Sequence, residues 1–290
     1  MAYDREKLTA WNSMRFCLAG LYSKGFADFR QRLAFCWDQH LHIWVGHRHR
    51  RVVEEYFSTT GVTPVGGLAV AISECNRRQL KYYSYAIRKL IHVPGIKSRV
   101  LELANVHRAS EEEDSHAGEQ KYHNLLVELH ACCFVHKWLG MTNIDVEYPG
   151  HAVLSPNRVG SKSCDISGGS DGRTTFFECK DSSWEIMCKQ RCHGMHVSRP
   201  KTAEGCRLWL LERMKMAADK GADYLIVKMP MWSEHSGRGR YIDWMRRSFP
   251  EARHTGGNRF MLPDIAGNYG CVKGAYVLNH GRGVEIMLGQ

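Results

Sequence analysis

Along the first 109 residues, apolar side chains recur at three- and four-residue intervals, the spacing of helices with one buried face. The pattern runs through Arg15 to Tyr22, Phe26 to Val45, Arg51 to Phe57 and Val70 to Ile91. Gly61, the Pro64-Val65-Gly66-Gly67 run and Pro94-Gly95 interrupt it and read as loops. A short acidic tract, Glu111 to Gly118, is almost free of apolar residues and marks a domain boundary. It separates a helical domain over 1–110 from a second domain over 115–290.

Beyond the boundary the period changes. Gln120 to Leu139 predicts a helix closed by Gly140, and Asn143 to Tyr148 alternates as a strand until Pro149-Gly150. Ser163 to Ile166 predicts a second strand, Gly168 to Gly172 a hairpin turn, and Thr174 to Lys180 a third strand rich in threonine and aromatic residues. A helix over Ala203 to Lys220, with Thr202 as its N-cap and Gly221 as its stop, leads into a buried strand, Tyr224 to Met229. A helix near Tyr241 to Phe249 and a terminal hairpin, Gly274 to Leu278 with Val284 to Leu288, complete the reading. The fold class is α/β (α+β), with a mixed central sheet preceded by a mainly helical N-terminal region.

Charge sharpens this picture. Of the net +10, nine charges fall within Met1 to Ala109, where 17 Lys/Arg stand against 8 Asp/Glu. Such an excess attracts polyanions by counterion release, so nucleic acid is the expected partner class. There is no long apolar run, and the first residues, Met1 to Lys7, are charged, so a soluble, unsecreted, cytoplasmic protein without membrane association is expected. The eleven cysteines sit in apolar stretches such as Ala131-Cys132-Cys133-Phe134, as reduced thiols do in a reducing compartment.

Candidate chemistry concentrates in the third strand. Glu178 and Lys180 are two apart and share one face, with Phe177 and Cys179 on the other, and Asp165 stands across the hairpin. Glu128 lies near the middle of the preceding helix, close to the apolar Leu125, Leu129 and Cys132. Converging carboxylates beside a lysine suit a hard divalent cation and an oriented water. The competing reading is an exposed Glu178–Lys180 pair with Asp165 capping the turn.

Over roughly Glu119 to Met229, these residues and the order helix, three strands, helix, strand resemble the PD-(D/E)xK superfamily of restriction-endonuclease-like nucleases. The resemblance implies that Glu128, Asp165, Glu178 and Lys180 are catalytic. It implies Mg²⁺, with Mn²⁺ substituting, held by Asp165, Glu178 and the Cys179 carbonyl, with Glu128 binding directly or through water. Lys180 would position the attacking water. The sequence departs from the pattern at Cys164, where the motif has proline. The activity implied is metal-dependent hydrolysis of DNA, as an endonuclease in restriction, defence or DNA processing. The alternatives are a non-catalytic binding module of the same fold and an RNA-cleaving enzyme.

Further basic groups are expected to touch nucleic acid, in particular double-stranded DNA: Arg48, Arg50 and Arg51; Arg77, Arg78 and Lys81 beside Tyr82-Tyr83; Lys189 and Arg191; Arg238 and Arg240. Cys188, Cys192, His193 and His196 are closely spaced but lack the second ligand pair of a finger, which argues against Zn²⁺. No glycine-rich phosphate loop is present, so any translocation calls for a separate ATPase or specificity partner. Cutting both strands needs two sites, hence a homodimer is expected.

Overall fold

The computed structural model describes residues 47–73, 76–106, 115–181, 203–228, 246–247, 249–263, 269–278 and 284–288. The helices expected over 15–22 and 26–45, and the segments 182–202 and 229–245, lie outside them. The protein is a mixed α/β structure built on one eight-stranded sheet. Its strands are β1 (Asp145–Val146), β2 (Ile166–Ser170), β3 (Arg173–Asp181), β4 (Tyr224–Lys228), β5 (Arg253–Gly256), β6 (Arg259–Leu262), β7 (Gly274–Leu278) and β8 (Val284–Leu288). Their spatial order is β1-β2-β3-β4-β7-β8-β6-β5. β3 pairs antiparallel with β2 and parallel with β4, and β4 runs parallel to β7, so the sheet is mixed at its centre.

Helices cover both faces. On one lie α1 (47–60), α2 (Gly66–Ser73), α3 (Arg77–Lys89), α4 (Pro94–Asn105) and α5 (Ser115–Trp138), whose apolar side chains form one continuous core with Phe177, Cys179 and Ile226 of the sheet. On the other face α6 (Ala203–Asp219) packs Leu210, Met214 and Ala217 against Leu225, Val227 and Val277. The alternation of β3 therefore sends Phe177 and Cys179 toward α5, and Glu178 and Lys180 toward the α6 side. The order α5-β1-β2-β3-α6-β4 is the helix, strand, strand, strand, helix, strand succession read from the sequence. Among the described residues no helix is long and apolar enough to cross a membrane.

Four expectations are corrected. The second strand, read over Ser163 to Ile166, is β2 at Ile166–Ser170 and shares one residue with that reading. The helix read as continuous over 70–91 is two helices, because the Asn76 side chain accepts a hydrogen bond from Gln79 N (3.3 Å) and starts α3 afresh. Pro94-Gly95, read as a loop, instead opens α4 with proline in its first turn. The turn read at Gly168 to Gly172 is only Asp171-Gly172, both with positive φ (52° and 74°), while Gly168 and Gly169 belong to β2. Pairing with Thr175 and Thr174 makes them strand residues, and crowding requires glycine there: a Cβ on Gly168 would lie 2.7 Å from Met141 Sδ and 2.9 Å from Val135 Cγ1. The β5–β6 hairpin had no counterpart in the sequence reading; of the helix expected near 241–249, 246–247 are helical, 249 is not, and 241–245 and 248 lie outside the described residues.

Gly95 performs a similar service where α4 meets β1, since a Cβ there would lie 2.6 Å from the Val146 carbonyl oxygen. A backbone oxygen cannot rotate away. Gly95→Ala is expected to lower the unfolding free energy by about 1–3 kcal/mol through overpacking, seen as a lower urea midpoint at unchanged slope.

Candidate active site

Glu178 is the centre of the site. It sits on an inner strand with relative exposure of only 1%, and Asp165 is 7% exposed, so the exposed-pair reading does not hold. The ladder register, Ile166 opposite Phe177, continues to put Asp165 opposite Glu178. A buried hydrogen bond fixes the aspartate there: Cys179 N donates to Asp165 Oδ2 at 2.6 Å. A strand residue's N–H and C=O point to the same side, so the Cys179 carbonyl also faces the space beyond the first residue of β2.

Two lysines close on this carboxylate. Lys180 Nζ lies 2.5 Å from Glu178 Oε1, and Lys220 Nζ lies 2.8 Å from the same oxygen and 3.9 Å from Asp165 Oδ1. Lys220 was not among the expected site residues. Alone in the sequence, a lysine before a helix-ending glycine reads as a partner of the helix dipole. The loop leading to Asp165 brings it in. Ser155 Oγ donates to Gly221 O (2.6 Å), Val159 N to Asp219 O (2.9 Å) and Cys164 Sγ to Lys220 O (3.3 Å), so the segment before Asp165 is stapled to the turn that carries Lys220. Gly221, at φ +75°, leaves the room: a Cβ would meet Arg158 N at 2.5 Å.

Cys164 acquires a physical reason at the same point. Its N–H donates to Val153 O at 2.9 Å, a bond that proline in this position would remove.

Glu128 approaches from the opposite side of the sheet. Its Oε2 is 2.6 Å from Arg99 Nε of α4, and Arg99 also reaches Glu102 at 3.3 Å. Asp165 and Lys180 remain near enough to act on its charge. Arg99 was likewise invisible in the sequence, because 29 residues separate it from Glu128. Glu147, whose N–H donates to Asp165 O (3.0 Å) and whose carboxylate accepts from the Ser163 hydroxyl, adds a further acid beside the cluster.

The electrostatics are those of too many carboxylates in too little water. Burial pushes the Glu128 carboxyl up to about 8, with Asp165 adding to the rise and Arg99 opposing it. Burial likewise pushes Glu178 up to about 7, again with help from Asp165 and against the pull of Lys180 and Lys220. For Lys180 burial acts to lower the pKa, but Glu178 and Asp165 outweigh it and the pKa is raised; Lys220 is raised for the same reason.

The donor set fits a hard divalent cation. Glu178 Oε2 is fully buried and accepts no hydrogen bond among the described residues. Among the described residues no three Asp, Glu, His or Cys side chains converge as a ready-made metal cage. An ion here would be held by Asp165, Glu178 and the Cys179 carbonyl, with water and substrate filling the shell, which is the habit of Mg²⁺ rather than of a closed protein site. The Arg99 pair engages Glu128, which suits it to supporting such an ion through water.

The expected nucleic-acid residues divide. Arg50 and Arg51 pair with Glu54 (2.7 Å) and Glu55 (2.9 Å) along α1, as a solvated helix face does, and Arg48 is exposed. Lys81 lies 4.5 Å over the Tyr82 ring. Arg77 and Arg78 lie in the first turn of α3, their side chains outside the description, and Lys189, Arg191, Arg238 and Arg240 fall outside it altogether, as do Cys188, Cys192, His193 and His196. The described cysteines Cys132, Cys133, Cys164, Cys179 and Cys271 are free thiols.

Compared with protein families, curated proteins and solved structures, the chain matches none, and the functional argument rests on geometry.

A raised carboxyl binds more protons folded than unfolded, so stability falls as pH rises through the window between the two values. For Glu128 that window runs from about 4.5 to about 8, and for Glu178 from about 4.5 to about 7. The metal-free protein is expected to lose a few kcal/mol between pH 5 and 8. Urea unfolding of Glu128→Gln should show a shallower loss and a higher midpoint than wild type at pH 8, with little difference at pH 5.

Proposed function

We propose that the protein is a Mg²⁺-dependent nuclease of restriction-endonuclease-like fold that hydrolyses phosphodiester bonds of DNA. The observation that carries the reading is the Asp165–Glu178–Lys180 cluster around a buried Glu178, one oxygen of which has no donor among the described residues while two ammonium groups crowd the other. A purely structural salt bridge is poorly served by this arrangement. Burying three acids costs several kcal/mol per ion before the two partly exposed lysines offset it, and apolar side chains would fill the space at no such cost. Such an expensive cluster of perturbed groups marks a functional site.

Asp165, Glu178 and the Cys179 carbonyl would hold the ion, Mn²⁺ serving in place of Mg²⁺. When bound, it supplies charge stabilisation at the phosphate and makes a coordinated water more acidic. The rest is work for the chain. Lys180, 30% exposed at its side chain and carried by the same strand face as Glu178, meets solvent together with Lys220 (27%), and there it orients a water and neutralises a phosphate oxygen. Lys220 pulls the Glu178 carboxyl back toward its ionised form in the absence of metal, so an internal cation stands where an external one could replace it. Arg99 fixes the Glu128 carboxyl, which accepts hydrogen bonds from waters around Asp165. The basic N-terminal helices, sharing a core with the sheet face beneath α5, would carry the DNA backbone. An endonuclease acting as a homodimer in the cytoplasm, in defence or DNA processing, fits this reading.

The test is nicking and linearisation of supercoiled plasmid by the full chain with Mg²⁺, with Mn²⁺ and with EDTA. Cleavage is expected only with metal. Lys180→Ala and Asp165→Ala, folded by circular dichroism, should be slower by roughly 100-fold or more. Variants that cut as fast as wild type would refute the site. A folded protein that cuts neither DNA nor RNA with any of these ions would leave the same cluster as part of a binding module.

A further inference from the structure

A second concavity lies away from the carboxylate cluster, between α3, the C-terminal half of α5 and β7. Its volume is about 310 Å³, at the lower end of small-molecule sites. α3 contributes Lys81, Tyr82, Tyr85, Arg88 and Lys89, and α5 contributes His130, Phe134, Lys137 and Trp138. None of the described lining residues is acidic. Arg88, Lys89 and Lys137 form no ion pair among the described residues, whereas the cations of the catalytic cluster are all paired with carboxylates.

The aromatic groups Tyr82, Tyr85 and Phe134 pack against the core with one side and line the cavity with the other. The Tyr82 ring lies over His130 with centroids 3.6 Å apart and planes tilted by 33°, and Lys81 Nζ stands 4.5 Å above the same tyrosine. Lys137 Nζ is placed between two rings, 5.7 Å from Tyr85 and 5.2 Å from Trp138. Tyr85 is oriented by a 2.7 Å hydrogen bond between its hydroxyl and His136 Nδ1. Trp138 closes the row at the lip, 41% exposed.

A ligand complementary to this wall has a flat π-system to lie against the rings and a multiply charged anionic group within reach of the cations. A simple apolar ligand would leave Arg88, Lys89 and Lys137 unanswered, and a bare anion would leave the rings unused. We propose that the cavity binds a phosphorylated nucleobase, that is, one nucleotide unit, with its base stacked on the Tyr82–Tyr85–Trp138 side and its phosphate between Lys137 and Arg88. Two sources present the same chemistry: a free mononucleotide, or an unpaired nucleotide in a single-stranded stretch. The proposal does not depend on the cleavage reading, because stacking and phosphate contact here use none of the carboxylate cluster.

The experiment is fluorescence polarisation with the full chain in EDTA, so that cleavage cannot intervene. The probes are dye-labelled mononucleotides and a short single-stranded oligonucleotide, with inorganic phosphate as competitor. Saturable binding of either probe is expected, weakened about tenfold or more by Lys137→Glu and by Trp138→Ala. Lys215→Glu, an exposed charge reversal on α6, should leave it unchanged. Tight binding of the mononucleotide assigns the cavity to a soluble nucleotide, and binding of the oligonucleotide alone assigns it to an unpaired residue of a strand. The proposal is overturned if phosphate displaces the probe as well as unlabelled nucleotide does, or if Lys137→Glu and Trp138→Ala, folded by circular dichroism, bind like wild type. Loss of binding together with intact plasmid cleavage, or the reverse, tells the two sites apart.

Discussion

A carboxylate buried in an inner strand has to be neutralised, and Glu178 is met by two ammonium groups that arrive from different parts of the chain. Lys180 is its neighbour on the same face of β3, while Lys220 comes from the end of α6. Among the described residues the arrangement still leaves one carboxylate oxygen without a donor, and both Glu178 and Glu128 are reluctant to ionise. Two lysines on one oxygen are a poor electrostatic solution to burial, and the lack of balance makes sense if an external cation belongs among them.

The surrounding structure is organised to hold that arrangement in place. Asp165 is pinned by the Cys179 amide, and the stretch from Val153 to Cys164 is tied to the α6–β4 turn by three hydrogen bonds. Asp223 extends the same fastening across the sheet. Its Oδ2 accepts from Phe176 N at 2.9 Å, and its Oδ1 pairs with Lys273 at 2.7 Å, which links the starts of β4 and β7 to β3. A site whose groups must stay within hydrogen-bonding reach of one another is therefore carried by strands and fastened turns rather than by free loops.

The two sheet faces divide the labour. The α6 side presents Glu178, Lys180 and Lys220, and the α5 side supplies Glu128 with its counter-ion Arg99. The N-terminal helices thus reach the carboxylate cluster through α4, whose close seating on β1 at Gly95 sets where Arg99 can lie. Farther along α5, the same helical layer forms the cationic, aromatic cavity. One continuous core lies beneath both places.

By itself the sequence determined the element order from α5 to β4, the stops at Gly140 and Gly221, the terminal hairpin, and the shared face of Glu178 and Lys180. Each of these is written in local periodicity or in the positive φ that glycine tolerates (71° and 75° here). It misread Gly168 and Gly169, because glycine signals either a turn or a close approach, and only the neighbours Met141, Val135 and Asn143 decide which. It could not supply Lys220 or Arg99, whose roles depend on contacts across 42 and 29 residues of chain, nor the burial that separates a solvated Glu-x-Lys pair from a charged cluster. It could not foresee that Cys164 must keep its N–H for Val153. Periodicity reports which way a side chain leaves its own backbone. Which other side chain waits for it there is settled by packing between elements distant in sequence, and for charged groups in a poorly hydrated interior that partner determines both the proton and the chemistry.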